Sequence, residues 1–132
     1  MTNYTSFPDL ANIYLEDSFV LAIDETSTSL SFHLEAVLTQ SHPRYRPPRP
    51  DEQHCYADAV LTIAAAKKIE WIERSSQTAR DAAGEEDLGT IDTLQRRDGY
   101  YEISGDWGHV EIYSSAAPRL EFTAPVGPGD IG

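Results

Sequence analysis

The chain has 132 residues and carries twenty-two acids against ten bases, a net charge of −12 with a sequence pI near 4.5. A surface of that sign repels nucleic acid and anionic membranes, which bind through lysine and arginine, and attracts basic partners or cations. The length suits one domain with a single core, a hydrophobic content of 40% excludes a disordered acidic tail, and the lone Cys55 excludes an internal disulfide.

Met1 is followed by Thr2, Asn3 and Tyr4, with no basic and apolar leader pattern. The longest mostly apolar stretch, 57–66, contains Asp58 and Thr62 and is too short to span a bilayer. With a single cysteine, which fits a reducing compartment, the expectation is a soluble cytoplasmic protein forming one globular domain over 1–132.

Ile13, Leu15, Phe19, Leu21 and Ile23 share one parity, which predicts a strand with Asp17 breaking the series at a bend or bulge over 16–18. The run 24–29 is turn chemistry. Beyond it Leu30, Phe32, Leu34, Ala36 and Leu38 alternate with Ser31, His33, Glu35, Val37 and Thr39, so the two runs are expected to form a hairpin.

Residues 42–51 are dense in proline and are expected to form an extended loop. It is also a basic island: no acid occurs between Glu35 and Asp51, while Arg44, Arg46 and Arg49 interleave with Tyr45 and His42. Guanidiniums beside an aromatic ring suit a carboxylate, a phosphate or an acidic partner edge. Pairing with the protein's own acids is the plainer alternative.

Residues 56–74 are read as two strands rather than a helix, because Leu61, Ile63, Ile69 and Trp71 share strand parity around a turn near 65–68. The segment 75–87 is polar and acidic, and its acids Asp81, Glu85, Glu86 and Asp87 lack the D-x-D-x-D-G pattern of a calcium loop.

The last third gives the clearest register. Asp98-Gly99 predicts a two-residue hairpin turn with positive φ at both positions, pairing Arg97 with Tyr100, Gln95 with Glu102 and Leu94 with Ile103. A second turn at 105–108, with Asp106-Trp107 central, pairs Ile103 with Val110 and Tyr101 with Ile112 on one apolar face. The other face then carries Tyr100 beside Tyr113, Glu102 beside Glu111, and Ser104 beside His109. Leu120 to Thr123 reads as a last strand and 125–132 as a flexible tail. Closely spaced strands with short or no helices predict an all-β fold, an antiparallel β-sandwich or partly open barrel.

The chemistry-bearing constellations are few. Like charges directly across a ladder destabilise it unless a cation or base lies between, so Glu102 and Glu111 are candidate ligands for a cation, with a solvated sheet face near Arg97 or Arg119 as the plainer alternative. His42, His54 and Cys55 flank the proline loop without the close ligand pairs that zinc requires, and Cys55 reads instead as the buried start of a strand. Trp107, between glycines, is a candidate exposed interface anchor or a lid over the core edge. No phosphate loop, dinucleotide fingerprint, nucleophile elbow or zinc-protease helix occurs in the chain. No metal or other cofactor is therefore expected, and no enzyme is indicated.

Taken together, residues 14–18, the proline loop leading into His54-Cys55-Tyr56, and the run 99–108 resemble small bacterial single-domain proteins of unknown function, some of them like the immunity proteins of toxin systems. The resemblance implies a bacterial β protein that binds another protein, and it carries over no catalytic residue. With the charge, it sets the expectation of a non-enzymatic binding or inhibitory module for a basic protein. The rival expectation is a small-ligand or metal-binding protein, or an enzyme, with a polar pocket near the proline loop where Tyr45, Arg46, His54 and Trp107 come together, Arg49 being a further candidate binding residue of the loop.

Overall fold

In a computed structural model, residues 2–47, 50, 55–74, 79–80 and 86–123 are described. The strands are β1 (Thr2–Asn3), β2 (Ile13–Glu25), β3 (Leu30–Leu38), β4 (Cys55–Ile63), β5 (Lys68–Arg74), β6 (Ala79–Arg80), β7 (Glu86–Asp87), β8 (Ile91–Arg97), β9 (Tyr100–Gly105), β10 (Gly108–Tyr113) and β11 (Arg119–Phe122). Two short 3-10 turns, Tyr4–Ser6 and Pro8–Leu10, precede β2, and no α-helix occurs among the described residues.

One sheet runs β1-β8-β9-β10-β5 and the other β11-β4-β3-β2, every pairing antiparallel. β6 and β7 form a small separate ladder. The two large sheets do not close into a barrel, so the fold is a β-sandwich. Period-two alternation is the cause: Leu30, Phe32, Leu34, Ala36 and Leu38 all turn inward against Tyr101, Ile103, Val110 and Ile112 from the facing sheet.

The β2–β3 hairpin forms as its pattern requires, with a correction inside β2. The register breaks between Tyr14 and Phe19, and again between Val20 and Ala22. The first irregularity reverses parity, so Ser18 and Val20 are buried while Leu21 is 45% exposed. The second restores it, and Ile23 packs on the core again. Ser18 repairs the interrupted ladder: its Oγ donates to the Tyr14 carbonyl at 2.6 Å and accepts from the Val37 amide at 2.8 Å. The free edge of β2 is covered by residues 88–90, where the Val20 amide bonds the Gly89 carbonyl and the Leu88 amide the Val20 carbonyl.

Residues 56–74 are two strands, as the parity requires, but they belong to different sheets. β4 pairs β3 and β11, while β5 pairs β10, and the chain crosses between sheets at a turn where Ala65 has φ 53°. The hairpin β8–β9 pairs Arg97 with Tyr100 and Leu94 with Ile103, and β9–β10 pairs Ile103 with Val110 and Tyr101 with Ile112. One detail differs from expectation. Only Gly99 takes a positive φ, 88°, and Asp98 keeps an ordinary backbone.

Candidate functional site

The outer face of the five-stranded sheet is ordered into rows by the two hairpin turns. The first row reads Arg97, Tyr100, Tyr113, Lys68, the second Gln95, Glu102, Glu111, Glu70, and the third Thr93, Ser104, His109, Glu73. Three glutamates thus stand side by side on adjacent strands in the middle row. Their inward neighbours on β9, β10 and β5 are Tyr101, Ile103, Val110, Ile112 and Ile69, which fix the strands to the core beneath.

The carboxylates are not equivalent. Glu102 Oε1 accepts a 2.6 Å bond from Arg97 Nε, and Glu102 Oε2 lies 2.9 Å from His109 Nε2. That second contact is within ion-pair range but is not aligned as a hydrogen bond, which leaves the buried His109 Nε2 without a hydrogen-bond partner. Bonding to Arg97, with His109 adding attraction, holds the Glu102 carboxyl below the ordinary glutamate range against a partial burial that pushes the other way. Glu111 Oε1 accepts from the Tyr113 hydroxyl at 3.1 Å, and this bond, more than burial, raises the Tyr113 hydroxyl. Tyr113 packs against Tyr100 with ring centroids 5.0 Å apart and planes tilted by 34°, and Lys68 Nζ sits 5.5 Å from the centre of the Tyr113 ring. Lys68 also reaches Glu70 Oε2 at 3.4 Å.

A pH dependence follows from the Arg97 contact. The folded-state value of Glu102 is depressed, so its stabilising effect is complete above the unfolded value of about 4.3 and is lost as the pH falls through the lower folded value. Glu102→Gln should therefore melt below the wild type at neutral pH, and the gap should close in acid. Arg97, His109 and Glu111 are the charged and titratable groups that face it. Melting temperatures across the acid range check this, and a gap that persists at the lowest pH would show that the Arg97 contact is not its source.

Glu102 and Glu111 are thus brought together, with Arg97 as the flanking base. Arg119 lies on the other sheet. Of the two readings of Trp107, the exposed anchor is corrected and the cover over the core is borne out: the residue is 1% exposed, donates from Nε1 to the Thr90 carbonyl at 3.1 Å, and packs on Phe32 and Trp71. Its burial removes it from any open pocket beside the proline loop.

Tyr45 packs partly buried against the core, while Arg44 and Arg46 line a cavity of about 430 Å³ that also touches Cys55, Tyr56, Asp58 and Phe122. Arg44 lies over the Phe122 ring at 4.9 Å, and burial together with Arg44 lowers the nearby His42. Cys55 opens β4 and is buried, as its sequence context requires. Arg49, His54, the acids 81–85 and the tail 125–132 lie outside the described residues.

No protein-family model, curated protein or solved structure matches the chain.

Glu70 and Glu73 complete the face and were not among the residues singled out from the sequence. Glu73 shares the parity of Ile69 and Trp71 and turns outward only past the irregularity opposite His109 and Val110, whereas the outward parity of Glu70, between Ile69 and Trp71, was readable. Their position opposite Glu111 and His109 was not, because no short turn joins β5 to β10. No helix among the described residues is long and apolar enough to cross a membrane.

Proposed function

We propose that this protein is a non-enzymatic binding module that docks a basic protein surface onto the outer face of its five-stranded sheet. The observation that carries this reading is the row Glu102, Glu111, Glu70, three carboxylates in register on a rigid face. Their backbones are locked in central and edge ladders, so little conformational entropy is lost when a partner's lysine or arginine arrives. The Tyr100–Tyr113 pair beside them offers amphipathic rings of the kind that anchor interfaces. The net charge of −12 would steer such a partner from a distance, making association fast and salt-sensitive. In this reading the module works in the cytoplasm, where Cys55 stays reduced, and the resemblance to immunity-like bacterial proteins points to an inhibitory role.

The test is capture from a bacterial lysate on the immobilised protein, at low and at high salt, beside a Glu70→Gln/Glu111→Gln variant. A basic protein should be retained where the screening length is about 30 Å and released where it is about 3 Å. The variant should retain markedly less. Equal retention by the variant would move the interface off this face, and capture of no basic protein at low salt would remove the reading.

A further inference from the structure

The geometry points to Glu102, His109 and Glu111 as a binding site for a divalent transition-metal ion, with zinc as the probe. One donor atom from each residue lies within 4.8 Å of the others. Zinc sits about 2.0–2.2 Å from nitrogen and oxygen ligands, so a tetrahedral site spaces them by roughly 3.3 Å, and the donors have only a short distance to close.

The outer contacts already sort the donors. Glu102 commits Oε1 to Arg97 and holds Oε2 2.9 Å from His109 Nε2, while Glu111 Oε1 accepts from Tyr113. Fixed second contacts of this kind orient metal-binding carboxylates. The third donor is the His109 Nε2 atom, which is itself shielded from solvent and has the Glu102 carboxylate 2.9 Å away as its one close polar neighbour among the described residues. An imidazole nitrogen beside two carboxylates favours a transition metal over calcium, which takes six to eight oxygens.

Charge leads the same way. Glu102, Glu111, Glu70 and Glu73 against Arg97 and Lys68 leave this face a net −2, with Glu111 facing a glutamate on each side. Like charges across a ladder are unfavourable, and a divalent cation would offset them where Arg97 reaches only Glu102. The face is open to solvent, since the Glu102 and His109 side chains keep 20% and 31% exposure, so an ion can enter and hold water in its remaining positions. The site stands independently of protein docking on this face.

Titration calorimetry of the full chain with zinc, and the visible spectrum of its cobalt form, test the assignment. The wild type should bind one zinc per chain, and zinc should raise its melting temperature. Glu111→Gln and His109→Gln should each weaken binding by about tenfold or more, the size seen when even outer-shell partners are lost. His42→Gln should leave zinc affinity unchanged. The metal-free Glu111→Gln protein should melt no lower than wild type, because the substitution relieves the glutamate pair, and His109→Gln provides a second folded comparison. Absence of saturable zinc binding by wild type would overturn the assignment. So would undiminished affinity in the Glu111→Gln/His109→Gln double variant, and so would a loss confined to His42→Gln.

Discussion

Trp107→Ala should destabilise the protein by about 3–5 kcal/mol, the cost of truncating a buried large aromatic. The indole is 1% exposed and lies between Phe32 of the facing sheet, with centroids 5.0 Å apart, and Trp71 of its own, at 5.9 Å. It is the contact through which the β9–β10 turn holds both layers. Its Nε1 donates to the Thr90 carbonyl, in the segment that also covers the edge of β2. Truncation therefore leaves a cavity and removes the hydrogen bond to a half-buried carbonyl together. Against a total stability of about 5–15 kcal/mol, that loss is a large share. At roughly 4 °C per kcal/mol for a chain this size, the melting temperature should fall by about 10–20 °C. Trp107→Phe should recover most of the packing but not the hydrogen bond. Urea denaturation of the two variants measures both components, and a loss below about 1 kcal/mol in Trp107→Ala would contradict the buried position.

The same residue shows where sequence reading reaches its limit. Asp98-Gly99 and Gly105-Asp106-Trp107-Gly108 fixed the registers of β8, β9 and β10, because a two-residue turn leaves one pairing that keeps the apolar residues on one face. The rows Tyr100–Tyr113, Glu102–Glu111 and Ser104–His109 followed from that alone. The direction of the Trp107 side chain did not, because it depends on Gly105 and Thr90, and Thr90 reaches the turn through tertiary packing. Parity failed in β2 for a related reason. A residue that opposes no partner shifts every later side chain by one face, and alternation cannot count such residues. Leu21, apolar and on the expected parity, ends outside, while Ser18 ends inside because its hydroxyl serves the Tyr14 carbonyl and the Val37 amide. The arrival of β5 beside β10 brought Glu70 and Glu73 to the face, and that pairing joins segments some forty residues apart in sequence.

Docking and metal binding on the outer face are distinguishable by their response to salt. Docking of a basic surface draws on the whole field of the chain and weakens as ions screen it. A zinc ion held by an imidazole and two carboxylates depends on short contacts in a half-buried cluster, which salt screens far less. Zinc would also offset the −2 of the face, so a bound ion should slow the capture of a basic partner.

Gly105→Ala should be nearly as damaging as loss of the tryptophan itself, for a reason of space. A Cβ at this position would lie 2.1 Å from the Thr90 carbonyl oxygen and 2.6 Å from Trp107 Nε1, inside the hydrogen bond those two atoms make. The first obstacle is backbone, so no rotamer change relieves it. Overpacking costs about 1–3 kcal/mol, and separating a buried donor from its acceptor adds about 1–3 kcal/mol. Gly99→Ala is the informative comparison. Gly99 has φ 88°, and a Cβ there would meet nothing within 4 Å, so its substitution strains the backbone without a clash and should cost only about 1–2 kcal/mol. Equilibrium unfolding of both variants separates the two causes. If Gly105→Ala were no worse than Gly99→Ala, the indole would not be threaded between Gly105 and Thr90. The consequence also reaches the outer face. Gly105 pairs with Gly108, one step along the ladder from the Ser104–His109 pair, so displacing this turn should shift His109 away from Glu102 and lower zinc affinity as well as stability.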